Sequence, residues 1–410
     1  MAVSTDFAPP FKLIAPYFIL GVLFYLGSIL YLFGIDVANL SQFSPTTLSF
    51  IHIFLLGFVM MIIFGAMAQL VPVVLEVGHF AVELYYVIYP LLAIGALLMG
   101  YGFLFSPIML PFGGVVVLVA MGIFLFETMM TIQKVQKLSF VMKTVLIANI
   151  FLFFGLLFGI IMALGYGGIV AVDIEKYLIS HIFLTFFGYV GITIMGMSLV
   201  LLPMFWLSHS FGWKSVEYSV YCFSASVSLI VLHLFFSNYM MLYLGYCFIV
   251  LSIGLYLYQI WLIYKTRVRK ENDIYFKSVV FSYWSLCVVL LLGVSYLIFQ
   301  SEKLLLVFGW FLLFGYIGNI ITGHLYKIVP FLVWYQKFSP LIGKQKVPML
   351  GDMVPKLGAT FQVYFTISGV ILCGFGIGIE NNELFYSGVS FLFVGGVFMF
   401  KNLLFMINFR

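Results

Sequence analysis

Residues 57–72 read Gly57-Phe-Val-Met-Met-Ile-Ile-Phe-Gly65-Ala-Met-Ala-Gln-Leu-Val-Pro72. The stretch contains no charged residue. It belongs to an apolar run of about 47–72, and a helix needs about 20 apolar residues to cross a bilayer. The same spacing, Gly, seven residues, Gly, six residues, Pro, returns at Gly188, Gly196 and Pro203 and again at Gly315, Gly323 and Pro330. Two glycines and a proline inside an apolar run suit a membrane helix. The glycines let a neighbouring backbone approach, and the proline bends the chain.

The rest of the 410-residue chain agrees. Hydrophobic residues make up 64% and charged residues only 8%, against roughly 45–50% and about 25% in soluble domains. No soluble fold of this length has enough interior for so much apolar side chain. Disordered chains, coiled coils, disulfide scaffolds and nucleic-acid binders are excluded together. Twelve segments are long enough to span, at about 13–33, 47–72, 81–105, 108–132, 141–166, 177–204, 215–236, 239–264, 276–299, 304–334, 358–379 and 384–407. Their continuous apolar character predicts helices rather than barrel strands. The fold class is therefore all-α, a polytopic membrane protein of twelve helices forming a single membrane domain. The longest loop, about 335–357, carries Pro340, Pro348 and Pro355 and is expected to lie against the membrane, with Trp334 and Tyr335 in the interface belt.

The net charge of +5 follows from loop placement. With the N-terminus inside, seventeen Lys and Arg fall on the cytoplasmic side, and only Lys176 and Lys303 fall outside. This positive-inside bias predicts both termini in the cytoplasm. Met1 to Lys12 lacks a cleavable signal pattern, so the first apolar run reads as a retained span. Cys222, Cys247, Cys287 and Cys373 form no CxxC or CxxCH and read as small apolar helix residues.

The offsets between the three Gly–Gly–Pro copies are 131 and 127 residues, four spans each. On an ideal helix of 3.6 residues per turn the three marks fall within about an 80° sector. The pattern predicts three four-helix units, about 13–132, 141–264 and 276–407, around a pseudo-threefold axis.

Twelve helices in three fours, with His52-Ile-Phe-Leu-Leu-Gly57-Phe leading to Gly65 and Pro72, resemble the catalytic subunit of haem-copper oxidases and nitric oxide reductases, and the related NnrS haem-copper membrane proteins. Gly315-Tyr-Ile-Gly-Asn-Ile-Ile-Thr-Gly323 through Pro330 is similar to the tenth helix of the cbb3 branch. The resemblance implies a bacterial inner-membrane location, respiratory-chain components as partners besides the bilayer, and metal ligands thirteen or fifteen residues before the second glycine. Of the implied ligand positions, the tenth span holds Phe308 and Trp310 and the second holds Phe50 and His52. The sixth holds His181 and Phe183. The resemblance places a low-spin haem between a minus-fifteen residue of the second helix and a minus-thirteen residue of the tenth. Rotated by one unit, that arrangement falls on His52 and His181. The two are thereby expected to be the axial ligands of one b-type haem.

His233 stands where the resemblance implies a copper-binding pair, but Leu232 and Leu234 flank it. Alone it cannot complete a three-histidine copper site. His181 and His233 sharing a metal is the weaker option, against a hydrogen-bonded helix-end histidine. His324 reads as a structural polar contact; His79 and His209 are loop residues without a role. Glu127 is the one acid inside a span and is expected to face the interface beside Lys134. Missing copper ligands and sparse internal carboxylates argue against a working oxygen or nitric oxide reductase. The function expected is non-pumping electron transfer, or handling of nitric oxide, haem or copper. A cofactor-free transporter and an assembly partner of a respiratory complex are the alternatives.

Overall fold

The computed structural model describes residues 7–410; the start of the chain, on which part of the N-terminal reading falls, lies outside the described residues. The protein is helical, with no strand among the described residues beyond an isolated bridge between Ser208 and Arg267. Among the described residues, twelve helices are long and apolar enough to span: Phe11–Leu32, Pro45–Leu75, Val82–Leu104, Pro107–Ile132, Phe140–Tyr166, Ile174–Trp206, Lys214–Phe236, Tyr239–Lys265, Ile274–Phe299, Glu302–Lys337, Lys356–Gly378 and Asn382–Ile407. They are called the first to twelfth spans below.

Local chemistry sets the helix ends. Ser44 Oγ accepts from Thr47 N–H at 3.2 Å, with Pro45 at the first helical position. Asp273 caps the ninth span through Phe276 N–H at 2.9 Å, and Asn381 caps the twelfth through Leu384 N–H at 2.8 Å. Each satisfies an amide that the helix start leaves without an intrahelical partner. The loop after the tenth span folds into two short 3-10 turns, and Trp334 Nε1–H donates to Pro348 O at 2.8 Å.

The chain packs as two compact units. One consists of residues 7–8, 70–91 and 106–271, the other of residues 9–69, 92–105 and 272–410. The first contains the fourth to eighth spans entire; the second contains the first and the ninth to twelfth.

The third and fourth spans open with short 3-10 turns, and three spans depart from α geometry within the helix. The second, sixth and tenth each contain a π-helical segment, Ile53–Met60, Phe183–Gly191 and Phe311–Gly318. In every case the first glycine of the repeated pattern sits inside it. This corrects the 80° sector derived from ideal α geometry. Eight α-helical residues rotate by about 800°, which leaves two glycines about 80° apart at 3.6 residues per turn. A π turn accommodates one extra residue, so the pair returns to within about 20°.

The contacts show what that rotation achieves. In the second span a Cβ on Gly57 would fall on the Phe24 side chain, and one on Gly65 would lie 2.6 Å from Tyr17 Cβ. In the sixth, Gly188 faces Phe151 (2.8 Å to its Cβ) and Gly196 faces Thr144. In the tenth, Gly315 faces Ser285 Oγ at 2.7 Å and Gly323 faces Ser278 Cβ at 3.0 Å. Each glycine pair meets two residues seven apart on the preceding antiparallel span. Seven α-helical residues also return to within about 20° of one face. An eight-residue spacing on one helix thus matches a seven-residue spacing on its neighbour because a π turn lies between the glycines. Pro72, Pro203 and Pro330 lie further along the same helices.

Candidate functional site

His52 ends the α-helical opening of the second span, one residue before its π segment. Its Nδ1–H donates to the Leu48 carbonyl, 2.8 Å away and one turn back. The ring is half-buried and tilted against Phe103 of the third span, with centroids 4.7 Å apart. The third span comes close here because Gly100 lacks a side chain. A Cβ on it would lie 2.6 Å from Ile53 Cδ1, and its carbonyl accepts from Ser49 Oγ at 2.9 Å.

His181 lies two residues before the π segment of the sixth span. Its Nδ1–H donates across to the Gly155 carbonyl of the fifth span at 2.9 Å. The ring rests on Gly159, where a Cβ would lie 3.0 Å from Cε1. Gly155 also admits Thr185 of the sixth span, whose Cγ2 would be 2.5 Å from a Cβ there. The pair Gly155-Leu-Leu-Phe-Gly159 is a small-xxx-small face that seats the imidazole. It escapes a search for ligand residue types, although its four-residue spacing is legible.

In both histidines the Nδ1 partner is a carbonyl, which only accepts. Nδ1 therefore carries the proton of the neutral ring and Nε2 carries the lone pair. Pinning one ring nitrogen in this way fixes the tautomer and the ring plane, as in metal-ligating histidines. The donor chemistry suits a haem iron.

The positions that the resemblance gives to a haem between the second and tenth helices do not suit one. Phe50 and Trp310 are both 6% exposed and belong to a packed aromatic cluster. Phe314 stacks on Phe50 with centroids 6.1 Å apart and on Trp310 at 4.5 Å. Phe54 closes on Phe314 at 4.8 Å. Trp310 Nε1–H donates to Val370 O at 2.8 Å. Packed rings occupy this place, and neither residue offers a lone-pair nitrogen.

His233 lies in the last turn of the seventh span, its ring 5.2 Å from Tyr239. Its Nδ1 is buried without a hydrogen-bond partner, which departs from the hydrogen-bonded histidine expected there. Gly191 of the sixth span faces Phe223 of the seventh, with 2.8 Å between a Cβ and Phe223 Cε1. His181 and His233 each lie ten residues from that contact, in the same direction on antiparallel neighbours. They therefore stand at similar depth. Among the described residues no three His, Cys, Asp or Glu side chains form a group able to hold a metal. His324 is a polar contact as expected. Nδ1–H donates to Ile320 O at 2.7 Å, and Nε2 lies 3.3 Å from the Tyr275 hydroxyl.

Glu127 overturns its expectation. It is fully buried rather than facing the interface. His79, given no role from sequence, is its partner at 2.8 Å. The separation of 48 residues, with one partner in a loop, left no periodic signal to find.

No protein-family model matches the chain, and no curated protein matches its sequence.

Proposed function

We propose that the protein is a multi-pass haem-binding membrane protein in which His52 and His181 axially ligate one b-type haem. The observation that carries this reading is the shared tautomer. Each ring has Nδ1–H committed to a backbone carbonyl, 2.8 Å from Leu48 O in one case and 2.9 Å from Gly155 O in the other, and so carries its lone pair on Nε2. A haem held by these two imidazoles would supply one-electron transfer. The chain's own residues hold the rings: Leu48 and Gly155 fix the tautomers, Phe103 packs on one imidazole and Gly159 makes room for the other. The reading belongs to electron transfer rather than to oxygen or nitric oxide reduction. The recurring glycine contacts on the second, sixth and tenth spans support three related four-helix units. The Lys and Arg bias supports both termini in the cytoplasm of a bacterial inner membrane, beside respiratory-chain components.

A second reading uses His181 differently. The orphaned Nδ1 of His233, at similar depth on the neighbouring span, favours a copper ion shared by these two histidines.

The reduced-minus-oxidised absorption spectrum and metal content of purified protein separate the readings. The haem reading expects a b-type spectrum lost in His52→Ala and in His181→Ala but kept in His233→Ala. Copper that disappears in His181→Ala and His233→Ala, without haem, replaces it with the second reading. Colourless, metal-free protein sinks both and leaves a cofactor-free transporter or an assembly partner.

A further inference from the structure

Among the described residues Glu127 is the one Asp, Glu, Lys or Arg that is buried. It stands in the last turns of the fourth span, and the loop that follows the second span folds over it. Its Oε1 accepts from His79 Nδ1 at 2.8 Å, Thr131 Oγ1 at 2.8 Å and Phe80 N–H at 3.1 Å. Its Oε2 accepts from the Tyr85 hydroxyl at 3.0 Å. The His79 side chain is only 4% exposed, and its ring meets Tyr85 edge-on with centroids 5.0 Å apart. Lys134 donates to the carbonyls of Gly78 and His79 at 3.1 and 2.8 Å, covering the loop from the Lys-rich side.

Fastening the loop would need only the Phe80 amide and the Lys134 ammonium. The imidazole adds a different property. A carboxylate beside a neutral imidazole carries one negative charge, and one added proton makes the pair neutral wherever that proton resides. Histidine is the side chain whose ordinary titration falls near neutrality. Burying a carboxylate against a group that changes charge there is a recurrent arrangement for moving protons inside membrane proteins. Among the described residues, the ionisable groups facing the pair are Tyr85, from the start of the third span, and Lys134, from the end of the fourth.

We propose that Glu127 and His79 form a proton-binding site, which takes up one proton from the Lys-rich side of the membrane. It is independent of the haem reading, because it shares no residue with it. Nδ1 already carries the hydrogen it donates to Oε1, so the added proton turns the His79 ring into an imidazolium paired with the carboxylate. Tyr85 and Thr131 stay as donors to the carboxylate in both states.

Infrared difference spectra of the purified protein, recorded as pH is lowered from about 8 to about 5, the range in which histidine changes charge, test this. The expected result is a carboxyl or imidazole change that is missing in Glu127→Gln and in His79→Gln. The second variant keeps an N–H to offer to Oε1, so it carries the test if Glu127→Gln fails to fold. A difference spectrum unchanged in His79→Gln overturns the proposal and leaves a permanently ionised loop clamp. Loss of the change together with retained haem absorbance in His79→Gln separates this site from His52 and His181.

Discussion

The imidazole of His181 rests on Gly159, with 3.0 Å between ring Cε1 and the position of a Cβ on the glycine. Its Nδ1 meanwhile bonds the carbonyl of Gly155, one turn away on the same helix. A side chain at 159 therefore strikes the ring itself. Gly159→Leu is expected to cost about 1–3 kcal/mol through overpacking and, on the proposed ligation by His181, to abolish haem absorbance. Thermal unfolding in detergent and the reduced-minus-oxidised spectrum check both parts. Unaltered stability would show that the ring has room to turn away.

The glycine contacts differ in tightness. A Cβ at Gly65 lies 2.6 Å from Tyr17 Cβ, whereas at Gly323 the nearest atoms, on Ser278, are 3.0 Å away. Gly65→Ala is expected to lower the unfolding temperature more than Gly323→Ala. The crowded contact in the second span needs backbone movement, while that in the tenth yields by a few tenths of an ångström. Overpacking of this kind costs about 1–3 kcal/mol at the tight site. The reverse order in matched melting curves contradicts the packing described here.

Trp310 combines a ring stack on Phe314 with a buried donor to Val370 O. Trp310→Phe keeps a ring and removes the donor, at an expected cost of about 1 kcal/mol. Trp310→Ala also opens a cavity and is expected to cost about 3–5 kcal/mol. Neither change is expected to move the haem spectrum, because Trp310 is not among the proposed ligands. Loss of haem in the stable Trp310→Phe protein would place the cofactor at the aromatic cluster instead.

Asp36, in the loop between the first two spans, accepts from Asn382 Nδ2 at 2.6 Å, Asn39 Nδ2 at 2.7 Å and Ala38 N–H at 3.1 Å. These donors, Asn382 foremost, hold its carboxyl below the usual carboxylate range. A depressed carboxylate stabilises the fold above its ordinary titration range. That contribution fades as pH falls through the depressed value. Melting temperature measured from neutral into acid solution is expected to fall less steeply in Asp36→Asn than in the parent. Identical slopes would mean that the loop contact does not survive in solution.

The second, sixth and tenth spans show where the text of the chain was sufficient and where it was not. Gly57, Gly65 and Pro72 were visible as a pattern, because close backbone approach demands the residue without a side chain. The π turn between the glycines was not visible. Its only trace was an eight-residue spacing where a regular helix would place seven, and composition inside the turn is ordinary. The same limit applies to His181. Its distance from Gly196 made it a candidate, but its acceptor, the Gly155 carbonyl, is backbone and has no side-chain signature.

The sequence by itself determined the solvent, the number of crossings and the helical class. Each depends on apolar content summed along the chain and on the need to satisfy every amide within the bilayer. Tertiary structure alone decided that Phe50, Phe314 and Trp310 fill their region with rings, and that Glu127 turns inward to His79 instead of outward beside Lys134. Such pairings join residues tens to hundreds of positions apart. They are set by which helix faces meet and by the hydrogen bonds a buried polar group must find, and neither is written in any local stretch of residues.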